Sequence, residues 1–257
     1  MIKVQHSRPH LIFFILYSLC NFVLWYLSDN GGLFIMLVWN AFLSFLPVLF
    51  SQFTVSSLSN HKRFWILWAL LWIIFWPNTF YMATDIVHFT GDAFFQVVKG
   101  IPYVEQPQII YSDNLLLWSK GVIIVLGILY GIMNGINSEM IFENILINKY
   151  GKGKNLLLRF ICSILGGIAI YIGRFLRFNS WNIFNPIRIV TGFQLSGHEW
   201  RFVCGFVGIF AAFILCILSF AKAFYRQKYK IDTLSWDIFS SGISCLWFFN
   251  RPVSARQ

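Results

Sequence analysis

Apolar residues run through this sequence in long blocks, unlike the narrow stripes of a soluble amphipathic helix. The blocks fall at about 11–27, within 31–60, at 64–81, 115–134, 156–174 and 202–221. A helix rising about 1.5 Å per residue needs roughly 17–25 apolar residues to cross about 30 Å of hydrocarbon, so each block predicts one crossing. Pro47 predicts a kink or an end in the second helix, and Pro77 a distortion near the far end of the third. The first block has the outline of a signal peptide but lacks a small-residue cleavage site, and Asn21 and Trp25 suit a retained anchor. A last apolar stretch, Leu234 to Phe249, is short and interrupted by Asp237, which suggests an interfacial or re-entrant helix, with a seventh crossing as the alternative. The expected fold is therefore all-α, a polytopic membrane helical bundle of six transmembrane helices plus a C-terminal interfacial or re-entrant helix, forming one domain over residues 1–257.

Composition agrees: 58% of residues are hydrophobic and 12% charged, against about a quarter charged in a soluble domain. The net charge of +10 does not imply a nucleic-acid partner, because the basic residues sit in short clusters beside apolar runs and form no contiguous soluble face. Lys3 and Arg8 precede the first span. Lys62 and Arg63 join spans two and three, Lys149, Lys152 and Lys154 join four and five, and Lys222, Arg226, Lys228 and Lys230 follow six. With six spans all four clusters lie on one side, which predicts both termini in the cytoplasm and lipid as a partner. Of the two outer polar segments, 82–114 is acidic (Asp85, Asp92, Glu105 and Asp113 against Lys99), and 175–201 is basic (Arg177, Arg188 and Arg201 against Glu199). The acidic segment is the natural partner for the second segment's arginines. Cys20, Cys162, Cys204, Cys216 and Cys245 lie in apolar stretches without close pairing, so no disulfide framework is implied.

Two helix ends carry candidate chemistry. In residues 72–89 Asn78, Tyr81, Asp85 and His88 recur at intervals of three, four and three, which on one α-helix is one face, provided Pro77 begins the last turn. Asp85 and His88 are candidate catalytic residues, and Asn78 and Tyr81 candidate ligand contacts. A hydrogen-bonded helix end is the plain alternative. A divalent metal at Asp85 and His88 would need further ligands, such as His198 and Glu199, if the outer loops converge; no cofactor is otherwise indicated. In residues 171–186 Arg174 and Arg177 share a face and suit an oxyanion or a buried carboxylate, with Asn179 and Ser180 beside them as further ligand candidates. Snorkelling to lipid phosphate is the alternative for the arginines.

Other features suggest packing or anchoring. Gly127, Gly131 and Gly135 give one face of span four to close helix contact, and Gly205, Gly208 and Ala212 offer a second small face on span six. Lys120 is expected to snorkel or to enter the cavity, Glu139 and Glu143 to form a wet polar face, and Trp25, Trp118, Trp181 and Trp200 to anchor at the interface. Walker, Rossmann, zincin and nucleophile-elbow patterns are lacking.

The two helix ends read Pro77, Asn78, Tyr81, Thr84, Asp85, His88, and then Tyr171, Gly173, Arg174, Phe175, Arg177, Asn179, Ser180, Trp181. In this combination the sequence resembles a bacterial integral-membrane family, domain of unknown function 1361. Trp39-Asn40 followed by Pro47, and Asp113 before span four, add to the likeness, which covers roughly residues 40–186. Residues 78–81 read Asn-Thr-Phe-Tyr where family members often have Asn-Ala-Pro-Tyr. The resemblance implies joint importance of the two helix ends and brings no activity with it. Three functions fit: an accessory or binding protein with an outward-facing anion-recognition site, whose ligand would be an anionic lipid head group or envelope intermediate; a membrane enzyme acting on such an intermediate; and a small-solute transporter. A membrane-protein partner is compatible with the first.

Overall fold

The computed structural model describes residues 8–28, 31–98, 106, 108–150, 155–178, 185, 187, 190–192 and 199–248; of 145–150, 155 and 225–248 it describes the backbone alone. In chain order the elements are α1 (Arg8–Leu27), α2 (Gly32–Ser59), α3 (Trp65–Phe75), α4 (Pro77–Tyr81), a 3-10 helix (Met82–Phe89), β1 (Phe95–Val98), β2 (Gln108–Tyr111), α5 (Leu115–Tyr150), α6 (Asn155–Arg174) and α7 (Trp200–Phe248). Six helical stretches are long and apolar enough to cross a membrane: Arg8–Leu27, Gly32–Ser59, Trp65–Phe89, Leu115–Asn144, Leu156–Arg174 and Trp200–Phe224. These are the six predicted spans in their predicted order, and the chain is a multi-pass helical membrane protein. It divides into two compact units, residues 1–214 and 215–257. In the second, residues 234–248 belong to the same helix that begins at Trp200 and do not start a helix of their own.

Burial in the first unit is inverted relative to a soluble protein. Leu16, Phe22, Ile35, Leu129 and Ile209 are exposed, whereas Asn21, Ser44, Thr54, Asn134, Ser138 and Glu139 are buried. Hydrocarbon solvates the former and cannot solvate the latter, so polar groups turn inward to find partners. A packed cluster of Tyr17, Leu37, Ala41, Phe45, Val48, Met82, Ile124 and Tyr130 ties α1, α2, α5 and the 3-10 helix together.

Polar pairs stitch this interior. His10 on α1 sits between two amides of α5, its Nδ1 2.6 Å from Asn134 Oδ1 and its Nε2 2.7 Å from Asn137 Nδ2. Tyr130 donates to the His10 carbonyl at 3.0 Å, and Asn134 donates to Ser44 of α2 at 3.2 Å. Glu139 and Glu143 are buried, contrary to the wet face expected of them. Helix α5 runs well past the predicted end of its span, and Arg159 of α6 reaches both carboxylates, bonding Glu139 at 3.0 Å and Glu143 more closely still.

The two prolines behave differently. Helix α2 runs through Pro47 to Ser59 without ending, because its packing against α1, α3 and α5 holds the helix across the one missing amide. At Pro77 the helix does break: α3 ends at Phe75 and Pro77 opens α4 in the first-turn position, where its lack of an N–H costs nothing. Beyond Tyr81 the chain winds tighter, as a 3-10 helix. The acidic segment then contains an antiparallel hairpin, Phe95 opposite Tyr111 and Val98 opposite Gln108, which hydrophobic periodicity could not reveal in strands of four residues. Asn114 caps α5 by accepting from the Leu116 amide at 3.0 Å and the Leu117 amide at 3.3 Å.

The glycine face of α5 receives α4 and the 3-10 helix. A Cβ at Gly127 would collide with the Tyr17 hydroxyl, one at Gly131 with the Thr79 backbone carbonyl, and one at Gly135 with Thr79 Oγ1 and the Phe80 ring. On α7 a Cβ at Gly205 or Gly208 meets nothing within 4 Å among the described residues. Gly167 of α6 instead admits the backbone of α7 at Val207. Gly131→Ala should therefore destabilise the protein by about 1–3 kcal/mol, because a backbone carbonyl cannot step aside. Gly205→Ala should be neutral or mildly stabilising, by up to about 1 kcal/mol through helix propensity. Thermal unfolding in detergent compares them; equal melting temperatures would contradict this account of the α4–α5 contact.

Candidate functional site

The chain from α4 to the 3-10 helix carries the four polar residues expected on one face. Asp85 among them is buried, 1% exposed. Its Oδ2 accepts a hydrogen bond from Asn40 Nδ2 of α2 at 3.1 Å, and its Oδ1 has no partner among the described residues. The four-residue strip is thus divided: Asn78, Tyr81 and His88 share a wall, and Asp85 is drawn to Asn40.

On the other side of the site α6 ends at Arg174. Gly173 lets the Tyr81 ring lie against the helix, since a Cβ there would stand 3.0 Å from the ring edge. The Arg174 guanidinium sits 5.8 Å from the centre of that ring and donates a close hydrogen bond to the Thr84 carbonyl. The acidic segment does engage the arginine, then, but through its backbone: among the described residues neither Arg174 nor Arg177 forms an ion pair with Asp85. Asp92 is taken instead by Lys120, at 2.6 Å. Arg177 has a left-handed backbone, φ 54°, which turns the chain back so that the Phe178 amide approaches the Ile172 carbonyl at 3.4 Å. That conformation is costly for a residue with a Cβ, and its exposed guanidinium lies on the same wall as Arg174.

These elements enclose a cavity of about 640 Å³. Helix α2 supplies Met36, Trp39, Asn40 and Leu43; the chain from α3 to the 3-10 helix supplies Ile74, Pro77, Asn78, Tyr81, Val87 and His88; α6 and its terminal turn supply Ala169, Ile172, Gly173, Arg174, Arg177 and Phe178. The structure thus brings together five of the sequence candidates, Asn78, Tyr81, His88, Arg174 and Arg177, and leaves Asp85 behind Asn40. Asn179 and Ser180, with Trp181 and His198, lie outside the described residues. His88 Nε2 is shielded from solvent and has no hydrogen-bond partner among the described residues, whereas Asn78 Nδ2 donates to the Phe75 carbonyl at 2.9 Å. Among the described residues no three His, Cys, Asp or Glu side chains are grouped to hold a metal ion. The aromatics Tyr171 and Phe175 of the α6 stretch are packing groups: Tyr171 stacks on Phe175 at 5.1 Å, and Phe175 meets Phe206 of α7 edge-on at 5.0 Å.

In the sequence Trp39 and Asn40 add to the family likeness but carry no signal of their own that they line a site with residues some forty positions later. The family described as a protein of unknown function, DUF1361, matches residues 39–218, a stretch that contains every cavity residue except Met36. The chain belongs to the DUF1361 family. No curated protein and no solved structure matches it. In this DUF1361 protein, Asp85 and Asn40 act as a pair that holds the α2 wall against the 3-10 helix. Asp85→Leu leaves Asn40 without its acceptor, whereas Asp85→Asn retains one. The Leu variant should be the less stable by about 1–3 kcal/mol in detergent unfolding. If both variants unfold together, Asn40 does not depend on residue 85.

Proposed function

We propose that this protein is a binding or accessory component of a bacterial cytoplasmic membrane, with both termini cytoplasmic, that recognises an anionic envelope component at an outward-facing site. The observation that carries this reading is the charge of the cavity wall: among the described residues Arg174 and Arg177 stand on it with no carboxylate, Asp85 being turned toward Asn40. A pair of guanidiniums in a largely apolar surround offers directed donors to an oxyanion, and Tyr81 and Asn78 stand beside them for neutral groups. The sidedness rests on the basic clusters at the opposite helix ends, such as Lys62 with Arg63, and Lys222.

A membrane enzyme acting on a lipid or envelope intermediate is the second reading, favoured by His88. Its unpartnered Nε2 near two guanidiniums provides the elements of general-base catalysis with charge stabilisation.

Purified protein in native-membrane nanodiscs, analysed for co-purifying lipids and metabolites, tests the binding reading. An anionic species should be enriched with wild type and depleted at least about 10-fold with Arg174→Gln and Arg177→Gln, the loss expected when one side of a charge-assisted contact is removed. Arg177→Gly is the informative control: it relieves the left-handed strain, so it should fold at least as well as wild type and still lose the ligand. Unchanged co-purification with all three folded variants would defeat the proposal. Chemical turnover of the retained species, abolished by His88→Gln, would favour the enzyme.

A further inference from the structure

The cavity is too large and too deep for an anion alone. Its volume of about 640 Å³ is on the order of twenty waters at roughly 30 Å³ each, far more than one oxyanion fills. Its chemistry also changes with depth. On α6 the cationic wall residue Arg174 is followed downward by Ile172 and then Ala169, about 7.5 Å below it along the helix. On α2 the wall reaches Leu43, about 16 Å from the start of the helix at Gly32, a distance comparable to half the roughly 30 Å hydrocarbon core. Ile74, on the turn before Pro77, closes the same lower part. The polar side chain that α2 contributes to the described wall is Asn40, and it is engaged with Asp85. Water in the lower part would find few partners, and a wall of this kind is suited to hydrocarbon.

We infer that the cavity takes an anionic amphiphile, a lipid phosphomonoester whose head group is held at Arg174 and Arg177 and whose chain lies along Leu43, Ile74, Ala169 and Ile172. The inference rests on the anion-recognition reading above and specifies its ligand. A phosphomonoester carries about −1.5 to −2 charges near neutral pH and three acceptor oxygens, which suits two guanidiniums with no carboxylate among the described lining residues; a phosphodiester carries one charge and offers the pair fewer free oxygens. Each guanidinium can present two parallel N–H donors to such a head, and the chain then follows α6 down from Arg174 to Ala169 without leaving hydrocarbon.

The test uses the full chain in phosphatidylcholine nanodiscs with two probes, inorganic phosphate and a hexadecyl phosphate bearing a photoreactive diazirine at mid-chain. Cross-linked positions are read by peptide mass spectrometry. Wild type should label at Leu43, Ile74, Ala169 or Ile172. That labelling should fall at least about 10-fold in the Arg174→Gln/Arg177→Gln double variant, and in Ala169→Phe, which fills the lower cavity while leaving both arginines. Binding of inorganic phosphate should be lost in the double variant and kept in Ala169→Phe. Arginine-dependent labelling without measurable binding of inorganic phosphate would also support the inference, the head group then requiring its chain. Arginine-dependent binding of inorganic phosphate, with probe labelling confined to lipid-facing positions such as Ile209 or insensitive to the arginines, overturns the amphiphile and leaves the anion site standing. If the folded double variant retains both labelling and phosphate binding, the anion site falls and the amphiphile with it.

Discussion

The close approach of α4 to the glycine face of α5 is the contact from which the remaining geometry follows. Within a membrane, helices gain little from burying apolar surface, since lipid tails solvate leucine as well as a neighbour does; short-range packing and hydrogen bonds must hold them. Gly131 lets the Thr79 backbone reach α5, Gly135 accommodates Thr79 and Phe80, and Trp76 donates from its indole to the Gly135 carbonyl at 3.2 Å. The short helix held there is the one that Pro77 begins and that tightens after Tyr81. Its position against α5 directs Asn78 and Tyr81 toward α6 and Asp85 toward α2.

A second regularity concerns charge. Four acidic groups of the first unit are engaged away from the cavity: Asp85 by Asn40, Asp92 by Lys120, Glu139 and Glu143 by Arg159. Arg174, by contrast, satisfies one donor on a carbonyl and stays on the wall. The positive character of the cavity is thus a result of how the acids are distributed. A buried carboxylate without a cation is costly, and pairing Arg159 with two of them accounts for an arginine in the first turns of α6 that lipid alone would disfavour. The His10 clamp does similar work for α1, whose other contacts are mostly apolar rings such as Phe13 over Tyr130, with centroids 4.8 Å apart.

The number and order of the six spans were legible because the minimum length of an apolar crossing is set by the hydrocarbon thickness, a property of the solvent that every span meets separately. The α4 and α6 ends were legible as a joint site because Arg174 and Arg177, and Asn78 and Tyr81, are spaced within one turn of each other, and local spacing survives folding. Legibility failed where a second helix was needed. Nothing near Glu139 or Glu143 announces Arg159, and nothing near Asp85 announces Asn40, forty-five positions earlier. The α-helical periodicity assumed from Asn78 to His88 also gives way after Tyr81, where the chain winds as a 3-10 helix.

Hydrophobic pattern and charge clustering therefore suffice for a six-span helical membrane protein and for the two stretches that carry its unusual polar residues. Which of those residues face a common cavity was settled by packing. It depended on glycines that admit one backbone to another, on the pitch of one short helix, and on pairings between side chains far apart in the chain. Each is a property of two surfaces in contact, and no single segment of sequence contains it.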